Sequence, residues 1–560
     1  MTRFKYSLLF AALLPVYAQA DVSVSDDPKP QESTELPTIT VTADRTASSN
    51  DGYTVSGTHT PLGLPMTLRE IPQSVSVITS QQMRDQNIKT LDRALLQATG
   101  TSRQIYGSDR AGYNYLFARG SRIANYQING IPVADALADT GNANTAAYER
   151  VEVVRGVAGL LDGTGEPSAT VNLVRKRPTR KPLFEVRAEA GNRKHFGLDA
   201  DVSGSLNTEG TLRGRLVSTF GRGDSWRQRE RSIIPNAIPN AYEFSRTGAY
   251  PQPSSFAQTI PQYGTRRQIG GYLATRFRAA DNLSLILGGR YSRYRTGSYD
   301  SRTQGMTYVS ANRFTPYTGI VFDLTGNLSL YGSYSSLFVP QSQKDEHGSY
   351  LKPVTGNNLE AGIKGEWLEG RLNASAAVYR ARKNNLATAA GRDPSGNTYY
   401  RAANQAKTHG WEIEVGGRIT PEWQIQAGYS QSKTRDQDGS RLNPDSVPER
   451  SFKLFTAYHF APEAPSGWTI GAGVRWQSET HTDPATLRIP NPAAKARAAD
   501  NSRQKAYAVA DIMARYRFNP RAELSLNVDN LFNKHYRTQP DRHSYGALRT
   551  VNAAFTYRFK

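Results

Sequence analysis

From about residue 181 to the C-terminus the sequence repeats with a period of two, and few folds can absorb that. In Val551-Asn552-Ala553-Ala554-Phe555-Thr556-Tyr557-Arg558-Phe559 the odd positions are apolar and the even ones mostly polar. Trp468-Thr469-Ile470-Gly471-Ala472-Gly473-Val474-Arg475-Trp476 does the same with an aromatic at each end. A period of two means a β-strand with two unlike faces. An apolar row that ends in aromatics is the lipid face of a transmembrane strand with interfacial girdles. Sixteen such strands can be read. They lie near 183–191, 196–206, 211–222, 265–279, 282–295, 312–324, 327–338, 357–367, 371–383, 407–419, 422–435, 449–460, 468–480, 504–518, 522–533 and 547–559. Their connections alternate. Ala280-Asp281, Thr325-Gly326, Leu368-Glu369-Gly370 and Thr420-Pro421 are short; 296–311, 339–356, 384–406, 481–503 and 534–546 are long. Short inner turns alternating with long outer loops argue for a transmembrane antiparallel β-barrel and against a soluble β-sandwich.

Composition agrees where it bears on this. After residue 20 no apolar run approaches 18 residues, so no mature transmembrane helix is expected, which leaves a barrel open. The absence of cysteine excludes a disulfide scaffold, a Cys-ligated zinc site and a thiol nucleophile. The N-terminus carries Arg3 and Lys5, then Leu8 to Leu14, then Ala18-Gln19-Ala20. That is the pattern of a secretory signal peptide over 1–20, too short in its apolar part to span. The net charge of +20 would otherwise invite a nucleic-acid reading. An exported chain does not meet genomic DNA, so no nucleic-acid partner is expected, and its basic groups face outer-membrane lipid or another anionic surface.

Residues 21–50 read as a flexible polar segment, with a β-prone run over 36–43 that could add to a partner's sheet edge. Residues 51–180 read as a mixed α/β domain. Ser74–Ile78 suits a strand, Ser80 caps a helix through about residue 87, Leu91–Gln97 suits a second helix, and Val151–Val154 a strand. The barrel then occupies 181–560.

Several stretches carry a family likeness. They are Ile71-Pro72-Gln73-Ser74-Val75-Ser76-Val77-Ile78-Thr79, Arg119-Gly120, Asn125-Tyr126-Gln127-Ile128-Asn129-Gly130-Ile131-Pro132 and Tyr148-Glu149-Arg150-Val151-Glu152-Val153-Val154-Arg155-Gly156. Pro167 to Thr179 and Asn527-Val528-Asp529-Asn530-Leu531-Phe532-Asn533-Lys534-His535-Tyr536 complete them. The chain resembles the TonB-dependent siderophore receptors over essentially its whole length. Within that family it looks most like receptors for ferric coprogen, rhodotorulic acid and ferripyoverdine. The resemblance implies an N-terminal plug domain inside an outer-membrane barrel. It implies import of a ferric siderophore, here expected to contain hydroxamate, driven by TonB and its inner-membrane energising complex. The run Leu36, Pro37, Thr38, Ile39, Thr40, Val41 and Thr42 becomes a candidate TonB box.

Iron in such a chelate is held by the siderophore's own oxygens, so neither a cofactor nor a metal site is expected. Recognition would use aromatic faces and a few polar tips. Tyr106, Arg110, Tyr113 and Tyr115 lie in a stretch that resembles the family's apical binding loop. Tyr299, Tyr350, Tyr399 and Tyr400 fall in long outer loops. Enzymatic readings fare worse. Gly163-Thr164-Gly165 is followed by Pro167 and cannot open a dinucleotide-binding helix, and Asp541, His543 and Ser544 lack a nucleophile elbow. Remaining alternatives are a receptor for another scarce chelate such as haem, a passive porin, or a shortened receptor without function.

Parity yields a further expectation. Leu359, Ala361, Ile363 and Trp367 share the lipid face, so Glu360, Lys364 and Glu366 face the lumen; Trp411, Ile413 and Val415 likewise place Glu412 and Glu414 inside. Carboxylates facing an interior filled with protein need partners. Arg119 and Arg155, each before a glycine, are the expected plug partners of Glu360, Glu366, Glu412 and Glu414. The resemblance supports such an arginine–glutamate lock.

One departure stands out. The family's barrel has 22 strands, and 223–264 here is Pro-rich without alternation. With strands ~4.8 Å apart and tilted ~45°, the radius is roughly 24 Å for twenty-two strands and roughly 17 Å for sixteen. Inward side chains take ~5 Å, and a 130-residue plug has a spherical radius of about 18 Å. It fits the larger lumen and not the smaller. The sheet stays open, the plug is displaced, or the chain is a shortened relative of a working receptor.

Overall fold

Among the described residues the C-terminal two thirds form one sixteen-stranded antiparallel sheet, running from Leu183–Gly191 to Thr550–Phe559. This computed structural model describes residues 52–60, 62–106, 113–133, 143–157, 159–192, 194–223, 264–300, 305–392, 398–443, 447–481, 491–540 and 544–559. The chain divides into Met1–Arg45 and Thr46–Lys560, and every described residue belongs to the second unit. The expected signal peptide and candidate TonB box therefore lie outside the described residues.

Each wall strand pairs with the next in sequence except the third, Arg213–Arg222, with the fourth, Gly264–Ala280, and the first pairs with the last through Phe184 opposite Phe559 and Gly191 opposite Asn552. Lipid-facing side chains are open: Leu359 and Ile413 are each 50% exposed. Their sequence neighbours Glu360 and Glu412 are buried. Rings gather at the short-turn end, where Trp468 meets Tyr516 at 4.9 Å and Phe184 stacks on Phe559 at 4.4 Å.

The strands run further outward than the alternation indicates. Leu372–Arg392 and Thr398–Arg418 are 21 residues each, about twice what a tilted strand needs to cross a membrane. Beyond the lipid both faces meet water, so the pairing continues while the hydrophobic period lapses. Tyr299, Tyr399 and Tyr400 consequently sit on strands, not in loops. The outer connection after Thr480–His481 holds a helix, Pro492–Asn501, that the two-residue period conceals. Its signal is local: Asn491 accepts from the amides of Ala493 and Ala494, and Pro492 opens the first turn.

Inside the wall sits the plug. Its five-stranded sheet runs Val75–Thr79, Tyr148–Arg155, Ala169–Arg175, Asn125–Ile128 and Ile131–Val133 in spatial order. The pairing of 169–175 with 125–128 is parallel. Helices Ser80–Asp85 and Leu91–Leu95 cover it, packing Met83, Leu91 and Leu95 against Ile78, Val151, Val153 and Val171. The first helix starts one residue earlier than expected: Thr79, not Ser80, is its cap, accepting from the Gln82 amide at 3.2 Å. A second sheet joins Thr101–Tyr106, Tyr113–Ala118 and Ser121–Arg122.

Of the outcomes the size conflict allows, the described residues show an open sheet. Among the described residues, Arg213–Arg222 and Gly264–Ala280 end the sheet on either side and share no ladder. The plug is docked in the sixteen-stranded wall, and among the described residues the wall does not close around it. Burial reflects this. Along Trp423–Asp436 every second residue is buried against the plug, whereas Ser218 to Gly221 on the edge strand are exposed in succession.

Candidate functional site: the buried link between plug and wall

Two arginines reach from the plug into the wall. Arg155 ends the second strand of the plug sheet, Tyr148–Arg155. Arg119 follows the Tyr113–Ala118 strand in a left-handed turn, φ 47° at Arg119 and 79° at Gly120. The glycine is required by proximity as well, because a Cβ there would lie 1.9 Å from Thr434 Oγ1 on the wall.

Three carboxylates meet them. Arg119 donates Nε and Nη2 to the two oxygens of Glu412, both at 3.0 Å, and Nη1 to Glu360 Oε2 at 2.6 Å. The Tyr379 ring lies 3.9 Å from its guanidinium carbon. Arg155 donates Nη2 to Glu414 Oε2 at 2.8 Å and Nη1 to Thr99 O at 3.2 Å. Its Nε lies 2.8 Å from Glu412 Oε2, close enough for ion pairing though bent away from hydrogen-bond geometry. Glu412 therefore bridges both arginines. All five side chains are buried, Arg119 to 2% and Arg155 to 1% exposure.

The remaining lone pairs are used. Glu360 Oε1 accepts from the Ser74 amide, the Ser74 hydroxyl and the Tyr331 hydroxyl, each at 2.7 Å. Glu414 accepts from Ser76 Oγ at 2.6 Å and Gln426 Nε2 at 3.0 Å. Burial alone would lower the Arg119 guanidinium. Glu360 and Glu412 outweigh it and hold the group well above the ordinary arginine value. Arg155 is raised in the same way, burial being outweighed by Glu412 and Glu414. Both cations stay charged in a dry site, where removing one partner would strand the other.

Glu366 does not take part. It shares the lumen face with Glu360 but lies six residues further along the strand, about 20 Å toward the short-turn end at ~3.3 Å per residue. Its Oε2 is buried and finds no hydrogen bond among the described residues. Parity selects a face and not a depth. Two wall lysines also reach the plug: Lys364, placed on the lumen face by parity, and Lys453. Lys364 donates to Leu68 O at 2.9 Å and Gln73 O at 2.6 Å, and Lys453 to Thr101 O at 2.8 Å and Thr101 Oγ1 at 2.6 Å. Parity points both inward; apart from the Thr101 hydroxyl, their acceptors are plug carbonyls, which carry no side-chain signature.

Of the expected ligand contacts, Arg110 lies outside the described residues, as do the Tyr106 and Tyr113 side chains. The backbones of Tyr106 and Tyr113 pair opposite each other. Tyr115, half-buried, stacks its ring 4.0 Å from the Arg122 guanidinium carbon.

A plug docked in an antiparallel transmembrane wall through a dry ionic core defines a plugged outer-membrane receptor. The chain belongs to the family described as TonB dependent receptor-like, beta-barrel, whose model matches residues 38–531. That family consists of bacterial outer-membrane receptors and transporters. The ferric-pyoverdine BN7/BN8 receptor of Pseudomonas putida is 28% identical, over 94% of this chain and 84% of the relative. The ferripyoverdine receptor of Pseudomonas aeruginosa is 27% identical, over 94% and 83%. Among solved structures, the pyoverdine outer membrane receptor of Pseudomonas aeruginosa bound to pyoverdine superposes with a TM-score of 0.77 at 25% identity, over 92% of this chain and 98% of that one. The alignment with the Pseudomonas putida receptor runs over 706 positions and includes 94% of these 560 residues, about 526, so about 180 positions have no counterpart here.

Proposed function

We propose that the chain captures a ferric siderophore at the cell surface and releases it to the periplasm when a TonB-type partner pulls on Leu36–Thr42. The observation that carries this is the way the plug is held. A buried cluster of two arginines and three glutamates holds the plug against the wall, and each of its contacts can re-form on redocking. A stopper of that kind suits gated transport of a scarce cargo and serves no purpose in a passive porin. The siderophore and pyoverdine relatives support the cargo class, and a hydroxamate-containing chelate is our specific choice. In the pulled state backbone pairing matters more than side chains. Thr40→Pro or Val41→Pro removes an amide donor and should abolish uptake of radio-iron-loaded siderophore while leaving surface binding intact. Undiminished uptake in both variants would sink the coupling assignment.

The open sheet favours a second reading, a shortened receptor that binds without transporting. It predicts saturable siderophore binding with uptake no higher than in cells lacking TonB.

A further inference from the structure

Between plug and wall, Arg103, Arg475, Trp476, Tyr507 and Tyr536 line a pocket of about 60 Å3. Arg103 lies on the plug strand three residues before Tyr106, at the base of the expected binding loop. Trp476 and Tyr507 stand at the ends of their strands that border the long outer connection. Space of this size holds an end group or a few waters, not a whole chelate.

The donors in this pocket are incompletely used. Arg103 pairs through Nη1 with Asp92, and Arg475 through Nη2 with Asp511 at 3.0 Å. Each contact occupies the far end of a guanidinium. The Nε–H groups of both arginines are buried, and neither finds an acceptor among the described residues. Lys453, which also lines the pocket, is committed to oxygens of Thr101. The aromatic walls are preformed: Tyr507 and Tyr536 stack at 4.4 Å and 25°. Both arginines lie within electrostatic reach of Tyr507. A buried N–H without an acceptor is costly, and charged N–H donors favour an anionic one.

We propose that this pocket is a carboxylate subsite, filled by an acidic arm of the transported chelate or by a free carboxylate ion. The first source rests on the siderophore-receptor reading; the second does not. Charge selection here would sort chelates that share an iron-binding core and differ in one arm.

The test uses the full-length protein in detergent and two ferric trihydroxamates, identical except that one arm ends in a carboxylate or in its primary amide. Sodium acetate is the third probe, followed by tryptophan fluorescence. The variants are Arg103→Gln and Arg475→Lys, the latter keeping a cation beside Asp511 while removing Nε–H. The wild type should bind the carboxylate probe about tenfold tighter than the amide, the gain of one charge-assisted contact. Both variants should bring the ratio close to one with amide affinity unchanged. Equal affinities in the wild type, a ratio preserved in both variants, or loss of both probes in both variants would overturn the subsite. If neither chelate binds the wild type, the siderophore reading fails and acetate decides. A fluorescence change lost in Arg475→Lys supports the pocket, and no change overturns it.

Discussion

Glu412 is the residue on which the plug's attachment turns, since it meets Arg119 through both oxygens and Arg155 through one. Replacing it by Gln leaves two buried guanidiniums short of charge, a change of ~3–5 kcal/mol in settings of this kind. We expect Glu412→Gln to loosen the plug and sensitise cells to small antibiotics normally excluded. Arg155→Ala should act in the same direction. Glu366→Gln is the control: it lies apart from the cluster, and its effect on plug docking should stay within ~0.5 kcal/mol. Urea-dependent protease access to the plug compares all three, and equal behaviour of Glu412→Gln and Glu366→Gln would deny the cluster its role. Gly120→Ala should be nearly as damaging as a charge loss, because a left-handed backbone and the Thr434 side chain both exclude a Cβ. Strain of this kind costs about 1–3 kcal/mol. Thr434→Gly should restore part of it, and no restoration would place the whole cost in the backbone.

At the scale of the strand, period and pairing part company. Ile413 lies five residues above the inner end of its strand, about 12 Å into the lipid at ~3.3 Å per residue and ~45° tilt. Ile413→Lys should cost about 2–4 kcal/mol and reduce the folded fraction in the outer membrane. Ala389→Lys, on the extension of the neighbouring strand beyond the lipid, should cost close to nothing. Urea unfolding midpoints in lipid vesicles check the pair; similar losses at both sites would mean that the extensions are embedded.

At the scale of the molecule, the wall among the described residues is a sheet with two ends. Lipid cannot satisfy backbone groups, so an unpaired edge within it is unfavourable, and a plug of this size opposes closure. The docked plug should therefore prevail and keep Arg213–Arg222 apart from Gly264–Ala280. The chain's lack of cysteine makes this measurable. Ser218→Cys combined with a cysteine at Leu273, Thr275 or Phe277, which share its lipid face, should form no disulfide in membranes, since ladder neighbours lie ~4.5–5.5 Å apart and these strands do not pair. Ready formation of any of the three, with protease-protected plug, would show a closed barrel that accommodates it.

Legible in the sequence were the sixteen wall strands found among the described residues, their inward and outward faces, and the residue types that had to meet. Each of these follows from local periodicity or from the cost of burying charge. Glu360, Glu412 and Glu414 were legible because parity is exact to one residue. Glu366 was misjudged because parity carries no depth. The serines, Tyr331 and the plug carbonyls that complete the cluster became visible only with the fold, since contacts between residues far apart in the chain depend on how deep the plug sits. The helix at Pro492–Asn501 is signalled only locally, by Asn491 and Pro492, amid a dominant period of two. The two sheet edges among the described residues are visible only in the tertiary structure, because closure is a competition between edge pairing and plug volume, and neither term belongs to any one segment of the chain.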